Sequence, residues 1–528
     1  MQHRPHVLLI LDGFGLSLET KGNAVAMARL PHLRYLSHFY PGTALQSSGI
    51  AVGIMWGEVG NSEVGHTNIG AGAVIYQHLP RVNIAIEDKT FFDLPAWKDA
   101  VMHATKNNSA IHLVGLLSNG GVHAHIDHLF ALLRAIKQLG FSGKVFIHAF
   151  TDGRDVPPQS APFFFDLLQK EIATIGLGEI ASVSGRYLGM DRAEKWDRTK
   201  RAYDAILGNG EKTADNIQAA LQGAYKENIS DEVIPGTTIV HDGKPIGAVH
   251  ANDALLFWNF RPDRMRQLLL PFVDPMFKEF PRHAFKNLFI VTMTEYDATF
   301  PTHVAFPPQH IAEPLAKVIA DAGLRQLHVA EKEKYAHITY FLNGGREEPF
   351  EHEDRIIVPS AANVTDYDQK PEMSAREIAD KIIEAVRGGR YDFIAANFAN
   401  GDMVGHTGNL PAAITGLEVV DECVGTIMNE ILKVGGVLYV TADHGNCEEM
   451  INLENGEADT EHSTNPVPFW IAATDNKRTT PANPVSTIIT RGISADVAPT
   501  IIEMMGLQKP KEMTGTSLLH VIGQLPLP

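Results

Sequence analysis

Cysteine is almost missing: Cys423 and Cys447 are the only two in 528 residues. One bridge adds little to a chain of this length, and neither spacing makes a zinc motif, so a disulfide or zinc scaffold is excluded. Cys423 falls in an apolar helical pattern and reads as core. No apolar run reaches the ~18 residues of a membrane span. The run behind Met1-Gln-His-Arg-Pro5 is too short for a signal-peptide core and has no cleavage region, so a cytoplasmic location with no membrane partner is expected. Positive charge is scarce as well, with 45 Lys and Arg against 62 Asp and Glu and a net charge of −17. That argues against a nucleic-acid-binding face, but leaves room for an anion at a local arginine cluster. Repeats and low-complexity tracts are absent. So are two phosphate signatures: no Gly-Lys-Ser/Thr follows Gly60–His66, and Leu18 stands where a third glycine would complete a dinucleotide fingerprint after Gly13-Phe-Gly15.

What is present suggests two large α/β domains. A single core stops growing at about 250–300 residues, and 44% hydrophobic with 20% charged residues is an ordinary globular balance. Val7–Leu11, Ile111–Leu117, Val145–Phe150, Phe393–Ala396 and Val437–Thr441 read as buried strands. Asp127–Leu139 carries Leu129, Leu132, Leu133 and Ile136 on one helical face and stops at Gly140. Ser374-Ala-Arg-Glu377 predicts a capping box for a helix running toward Val386. Strands alternating with helices predict largely parallel sheets. Asp12, Asp402 and Asp443-His444 each follow a strand, and ligands of open α/β sheets gather beyond carboxyl ends. The arginines lie in the middle of the chain. A metal domain built from both ends, with a second domain inserted, is the expected organisation.

Six segments carry chemistry. Thr441-Ala-Asp-His-Gly-Asn446 offers an oxygen and a nitrogen ligand suited to Mn²⁺, Zn²⁺ or Co²⁺; equally, it is a polar turn with Gly445 left-handed. Asp402-Met-Val-Gly-His406 puts two ligands on one helix face at i, i+4, or is a cap and a surface histidine. His462 in Glu461-His-Ser-Thr-Asn-Pro466 is a loop histidine, weak by itself. Ser62 in Gly60-Asn-Ser-Glu-Val-Gly-His66 suits a helix N-terminus, where N–H groups favour a phosphate or alkoxide, or is an ordinary cap. Asp152-Gly-Arg-Asp155, Gly185-Arg-Tyr187, Met190-Asp-Arg192 and Phe260-Arg-Pro-Asp-Arg264 supply guanidinium groups for carboxylate or phosphate, or exposed salt bridges. His123-Ala-His-Ile-Asp-His128 looks like a metal box, unless Asp127 and His128 only open a helix. Together these supply the roughly six ligands of a two-metal site.

In this order the motifs, with Leu11-Asp-Gly13, Gly120-Gly-Val-His123, Glu333-Lys-Tyr335 and His462-Ser-Thr-Asn-Pro466, resemble the cofactor-independent phosphoglycerate mutases of the alkaline phosphatase superfamily over nearly the whole chain. The resemblance implies a phosphatase-like domain from 1–76 and 311–528, and an inserted substrate-binding domain from 77–310. It implies two divalent ions, Mn²⁺ before Mg²⁺, Co²⁺ or Zn²⁺, and no bisphosphoglycerate. Asp12, Ser62, Asp443 and His444 match the ligands of one ion; Asp402, His406 and His462 match those of the other. Substrate contacts carry over to His123, Arg154, Asp155, Arg186, Arg192, Arg261, Arg264 and Lys334, which assigns His123 to substrate rather than metal. The implied reaction interconverts 3- and 2-phosphoglycerate in glycolysis and gluconeogenesis, with Ser62 as nucleophile, Asp155 as general base, and a monomeric enzyme. A phosphatase or pentose-phosphate mutase on the same scaffold, or a non-catalytic metal-binding protein, are the rival readings. The chain departs from the family's usual residues at Ile54-Met-Trp56 (Leu-Pro-Glu), Thr67 (Leu), Ala73 (Arg), Asn119 (Asp) and Gly401 (Pro).

Overall fold

The computed structural model describes residues 5–360, 364–482 and 489–523. Residues 1–4, on which part of the signal-peptide reading fell, lie outside the described residues. The chain divides into two units, one from Met1–Gln77 and Gln309–Pro528, the other from His78–Pro308.

In the first unit the strand His6–Leu11 is buried at every position and pairs in parallel with Phe393–Phe398 on one side and Val437–Thr441 on the other. Burial on both faces is what a helix-covered parallel sheet requires, and it explains the unbroken apolar runs. Each fully buried Val, Leu or Ile contributes about 1.5–3 kcal/mol. The eight-stranded sheet runs Glu353–Val358, Gln326–Glu331, Phe393–Phe398, His6–Leu11, Val437–Thr441, Val467–Ala472, Gly42–Gln46, Thr490–Ile493. The first five strands are mutually parallel, and Val467–Ala472 is antiparallel to its neighbours.

The second unit repeats the plan. The order is His303–Phe306, Phe289–Thr294, Ala254–Phe257, Ile111–Leu117, Val145–Thr151, Glu179–Gly185, Thr237–His241, Lys212–Ala214, with Lys244–Pro245 paired to Thr237–His241. The six strands from His303–Phe306 to Glu179–Gly185 are parallel.

Helices begin and end where local chemistry dictates. Ile126–Gln138 buries Leu129, Leu132, Leu133 and Ile136, and Gly140 follows with φ 80°. Ala375–Gly388 buries Ile378, Ile382, Ile383 and Val386 and ends at Gly389 with φ 60°. The expected capping box there does not form. Ser374 has φ −109° and ψ 24° rather than extended backbone, and makes no side-chain cap; its hydroxyl donates to the Pro359 carbonyl at 2.9 Å instead. No helix among the described residues is long and apolar enough to cross a membrane.

Candidate active site

Four adjacent parallel strands of the first unit deliver polar residues from their carboxyl ends. Gln326–Glu331 leads to Lys334, Phe393–Phe398 to Asp402, His6–Leu11 to Asp12, and Val437–Thr441 to Asp443 and His444. Val467–Ala472 runs the other way, so His462 ahead of it reaches the same edge. Ser62 is the first residue of the helix Ser62–Ala71, whose Asn61 cap accepts the Val64 N–H at 3.0 Å. Asp402 lies in the first turn of the short helix Asn400–Gly405, and His406 is its C-cap.

The side chains converge. Ser62 Oγ lies 3.1 Å from Asp12 Oδ1 and 3.0 Å from His444 Nε2. Lys334 Nζ donates to Ser62 Oγ at 2.7 Å, to Asp12 Oδ1 at 2.8 Å and to Asp402 Oδ2 at 2.7 Å. His462 Nε2 is 3.0 Å from both Asp402 Oδ1 and His406 Nε2. Two ligand-like sets result, Asp12 with Asp443 and His444, and Asp402 with His406 and His462.

The imidazoles are oriented for cation binding. His406 Nδ1 is 2.7 Å from the Thr460 carbonyl, His462 Nδ1 is 2.7 Å from Gly60, and His444 Nδ1 is 3.3 Å from Gly445. A carbonyl only accepts, so each Nδ1 carries the proton and each Nε2 is left as a lone pair aimed at carboxylates or at another Nε2. Such oxygen–nitrogen and nitrogen–nitrogen contacts repel unless a proton or a metal cation lies among them. Asp12, Asp402 and Asp443 are all buried, with one ammonium among them. Removing a carboxylate from water costs several kcal/mol, and Asp443 Oδ2 has no hydrogen-bond partner among the described residues. His66 Nδ1 is 3.2 Å from that oxygen but is committed to the Ser62 carbonyl at 2.9 Å. The donor sets and excess negative charge therefore fit divalent cations. The same field acts on protons. Burial disfavours a charged His444, but Asp443, Asp12 and Asp402 push it up to about 9. The hydrogen bond to Asp402 raises His406. Burial alone would raise Asp402, yet His406, His462 and Lys334 hold it well below the carboxylate range. Burial likewise opposes charge on Lys334, while Asp12, Asp402 and Asp443 hold it above the usual lysine value.

The second unit uses the carboxyl edge of its own sheet for opposite charge. Arg186 is buried after Glu179–Gly185, and its Nη1 bonds Asp152 Oδ1 at 2.7 Å and Asp155 Oδ2 at 2.5 Å. Asp152 also accepts from Ser118 Oγ at 2.6 Å and from the N–H groups of Arg154 and Asp155. Asp263 gathers Arg192 at 2.6 Å, Arg261 at 3.1 Å and His123 at 3.7 Å. Burial and the nearby Arg186 lower His123 to about 4, so it is neutral. Among the described residues, Arg264 reaches only the Met190 carbonyl, at 3.3 Å, and its buried Nε has no partner. Burial and then Arg192 and Arg186 lower its pKa. Arg154 is mostly exposed, 3.7 Å from Glu232.

Several plain readings of the sequence are corrected. Gly445 is not left-handed; a Cβ there would lie 2.4 Å from Glu448 Oε1 and Ser463 Oγ, so space demands the glycine. The His123–His128 segment is no metal box. His125 caps the helix, His128 Nε2 bonds Asn83 at 2.8 Å, and His123 faces Asp263. Apart from these corrections, Lys334, expected among substrate contacts, lies beside Ser62 with Asp12 and Asp402 as its partners. Asp152, Asp263, Asn397 and Glu448 were not singled out, although the first two lie inside quoted motifs. Asn397 Nδ2 donates to Asp12 Oδ2 at 2.8 Å. Among the departures, Ile54 packs in a small cluster with Val52 and Val64, while Trp56 is 87% exposed. A Cβ on Gly401 would lie 2.6 Å from the Asp12 carbonyl, which suits glycine at that position.

Known proteins share this layout. The family model described as BPG-independent PGAM N-terminus (iPGM_N) matches residues 82–298. A 2,3-bisphosphoglycerate-independent phosphoglycerate mutase of Moorella thermoacetica is 48% identical over 518 residues, covering 98% of each chain. The Clostridium botulinum protein of that name is 47% identical over 98% of this chain and 100% of its own. A solved Leishmania mexicana phosphoglycerate mutase, determined at low cobalt concentration, aligns over 97% of each chain with 31% identity and a TM-score of 0.52. Similarity of this extent shows the family: the chain belongs to the 2,3-bisphosphoglycerate-independent phosphoglycerate mutases.

Proposed function

We propose that the chain interconverts 3-phosphoglycerate and 2-phosphoglycerate through a phosphoserine on Ser62. The observation that carries this is Ser62 Oγ standing within 3.1 Å of Asp12, His444 and Lys334 together, beside two ligand-like sets. Asp12, Ser62, Asp443 and His444 would hold one divalent ion and Asp402, His406 and His462 a second, with Mn²⁺ suited to such mixed oxygen and nitrogen donors. Bound there, such ions acidify a serine hydroxyl and offset phosphoryl charge.

The chain's own groups do the rest. Ser62 Oγ forms the new O–P bond as the bond from phosphorus to the glycerate oxygen breaks. Lys334, 2.7 Å from Oγ, stabilises negative charge on that oxygen. Asp155, a carboxylate held by Arg186, takes the proton of the glycerate hydroxyl that carries no phosphate and passes it to the oxygen leaving phosphorus, so the freed hydroxyl oxygen makes the return attack and Ser62 enters and leaves as the alkoxide. Arg154, Arg186, Arg192, Arg261 and Arg264, with neutral His123, hold the glycerate carboxylate and hydroxyls between the two transfers. The test is conversion of 3- to 2-phosphoglycerate without added bisphosphoglycerate, stopped by chelator and restored by Mn²⁺, with phosphate trapped on Ser62 and identified by mass spectrometry. Turnover that requires bisphosphoglycerate, or that leaves Ser62 unmodified, would reject the reading.

A further inference from the structure

Glu448 has no part in the chemistry above, yet its surroundings are unusual. It is buried, and its carboxylate is met by four neutral donors. Oε2 accepts the Gly15 and Asn446 N–H groups, each at 2.9 Å. Oε1 accepts from the Ser463 hydroxyl and from Asn465 Nδ2, the latter at 3.1 Å. A carboxylate has about four lone-pair sites, and here all four are used. It therefore has none to give a metal.

The donors come from three separate loops, and each loop carries residues of the ligand-like sets. Gly15 lies three residues past Asp12, Asn446 two past His444, and Ser463 and Asn465 just past His462. The sequence makes room for this junction. Gly15 and Gly445 do not have positive φ. A Cβ on Gly15 would lie 2.2 Å from Glu448 Cδ, and one on Gly445 2.4 Å from Oε1. Both glycines are required by the space Glu448 fills, not by backbone conformation. A charge buried among neutral groups is costly to retain, so its benefit lies in what it ties together.

We propose that Glu448 is a positioning residue that sets the affinity of both ligand sets for divalent cations, by fixing the three loops that bear Asp12, Asp443, His444 and His462. The inference rests on the metal reading of those residues. Glu448→Gln is isosteric but turns one acceptor edge into an N–H₂ facing two donors. Backbone bonds from Cys447 N to the Gly13 carbonyl and from Ser463 N to the Gly445 carbonyl, each 3.0 Å, remain to hold the loops near their places. Titration with Mn²⁺, followed by the electron paramagnetic signal of the free ion, is expected to show two ions on the parent and a Kd raised about 10–100-fold in the variant. Saturating Mn²⁺ should restore kcat, with KM for 3-phosphoglycerate unmoved. A variant Kd within twofold of the parent would overturn the proposal. So would a kcat that stays low at saturating Mn²⁺. A parent that binds no Mn²⁺ would overturn the metal reading itself, and is distinguishable because the parent alone reveals it. Ser463→Ala removes one of the four donors and is expected to raise the Kd several-fold with an unchanged Tm. If Glu448→Gln fails to fold and Ser463→Ala binds Mn²⁺ like the parent, Glu448 is a structural group only and the proposal is wrong.

Discussion

The two units solve opposite electrostatic problems with one architectural device. In each, neighbouring parallel strands end at a common edge and hand polar residues to short loops and helix starts. The first unit gathers three buried carboxylates and three imidazoles. The second gathers guanidinium groups around Asp152, Asp155 and Asp263. The sheet edge therefore supplies convergence, and the residue types alone decide the sign of what is bound. On the proposed reading, divalent cations fall to the first unit and the glycerate carboxylate to the second, and each consequence of that split can be tested.

The largest effect expected is from Ser62→Ala. Loss of the nucleophile should lower turnover by about four orders of magnitude or more. The arginine unit is untouched, so calorimetric binding of phosphoglycerate should persist while isomerisation vanishes. Near-normal activity in the folded variant would break the division between a unit that reacts and a unit that holds.

Next is metal removal. Chelation should abolish turnover reversibly and loosen the first unit only. A ligand at 100 times its Kd adds ~2.7 kcal/mol of stability, and three carboxylates sharing one ammonium lose that support. Hydrogen exchange should accelerate in His6–Leu11 and Val437–Thr441 and stay unchanged in Ile111–Leu117 and Val145–Thr151. Equal loosening of both would show that the units do not differ in this way.

The pH response should have opposite signs at the His406–His444 cluster of the first unit and at His123 of the second. His444 is raised to about 9 and His406 is raised too. In the metal-free chain their stabilisation is full below about pH 6.5, the ordinary histidine value, and is lost as pH climbs toward 9. Mn²⁺ requires the unprotonated rings, so its affinity should rise over that window, and activity at limiting metal should fall as pH drops. His123, lowered to about 4, is neutral throughout. The unfolded chain takes up that proton below about 6.5, so the second unit loses stability as pH falls from there toward 4. Chelated protein probed by exchange protection factors at pH 5 and pH 8.5 should show the loops bearing His406 and His444 firmer at pH 5 and the segment bearing His123 firmer at pH 8.5. Parallel shifts would contradict the charge assignment.

Much of this was readable in the sequence because strand ends are readable. An apolar run followed by Asp12, or by Asp443 and His444, announces both the strand and its edge. Helical spacing relates Asp402 to His406, and the gap between Asn61 and Val64 suits a capped Ser62. Roles set by distant partners were not readable. Asp263 resembles any acid beside an arginine until folding brings Arg192 and His123 to it. Ser374 fits a capping pattern until the Pro359 carbonyl claims its hydroxyl. Glu448 gathers residues up to 433 positions away, and no local pattern encodes that.

The smallest effect, and the sharpest comparison, comes from Arg264→Ala. The phosphoserine formed in the first unit has two acceptors, glycerate and water, and isomerisation wins only while glycerate stays bound. Arg264 has most of its donors left to give. Among the described residues its side-chain hydrogen bonding is one 3.3 Å contact to the Met190 carbonyl, its Nε is buried without a partner, and Arg192 and Arg186 press like charge upon it. An anion relieves all three conditions. Arg186, by contrast, already has its Nη1 committed to Asp152 and Asp155, with its other nitrogens left for glycerate. Removing a charged contact to a bound anion costs about 2–5 kcal/mol when the partner is left buried, and less at a half-exposed group. Loss of about 1.4 kcal/mol is already tenfold in retention. Ser62 and its neighbours are unaltered, so first transfer should continue and the escaped glycerate be replaced by water. The ratio of free phosphate to 2-phosphoglycerate should rise about tenfold over the parent, with Mn²⁺ affinity unchanged. If both products slow equally, Arg264 serves the first transfer, and retention of glycerate falls to the groups around Asp263.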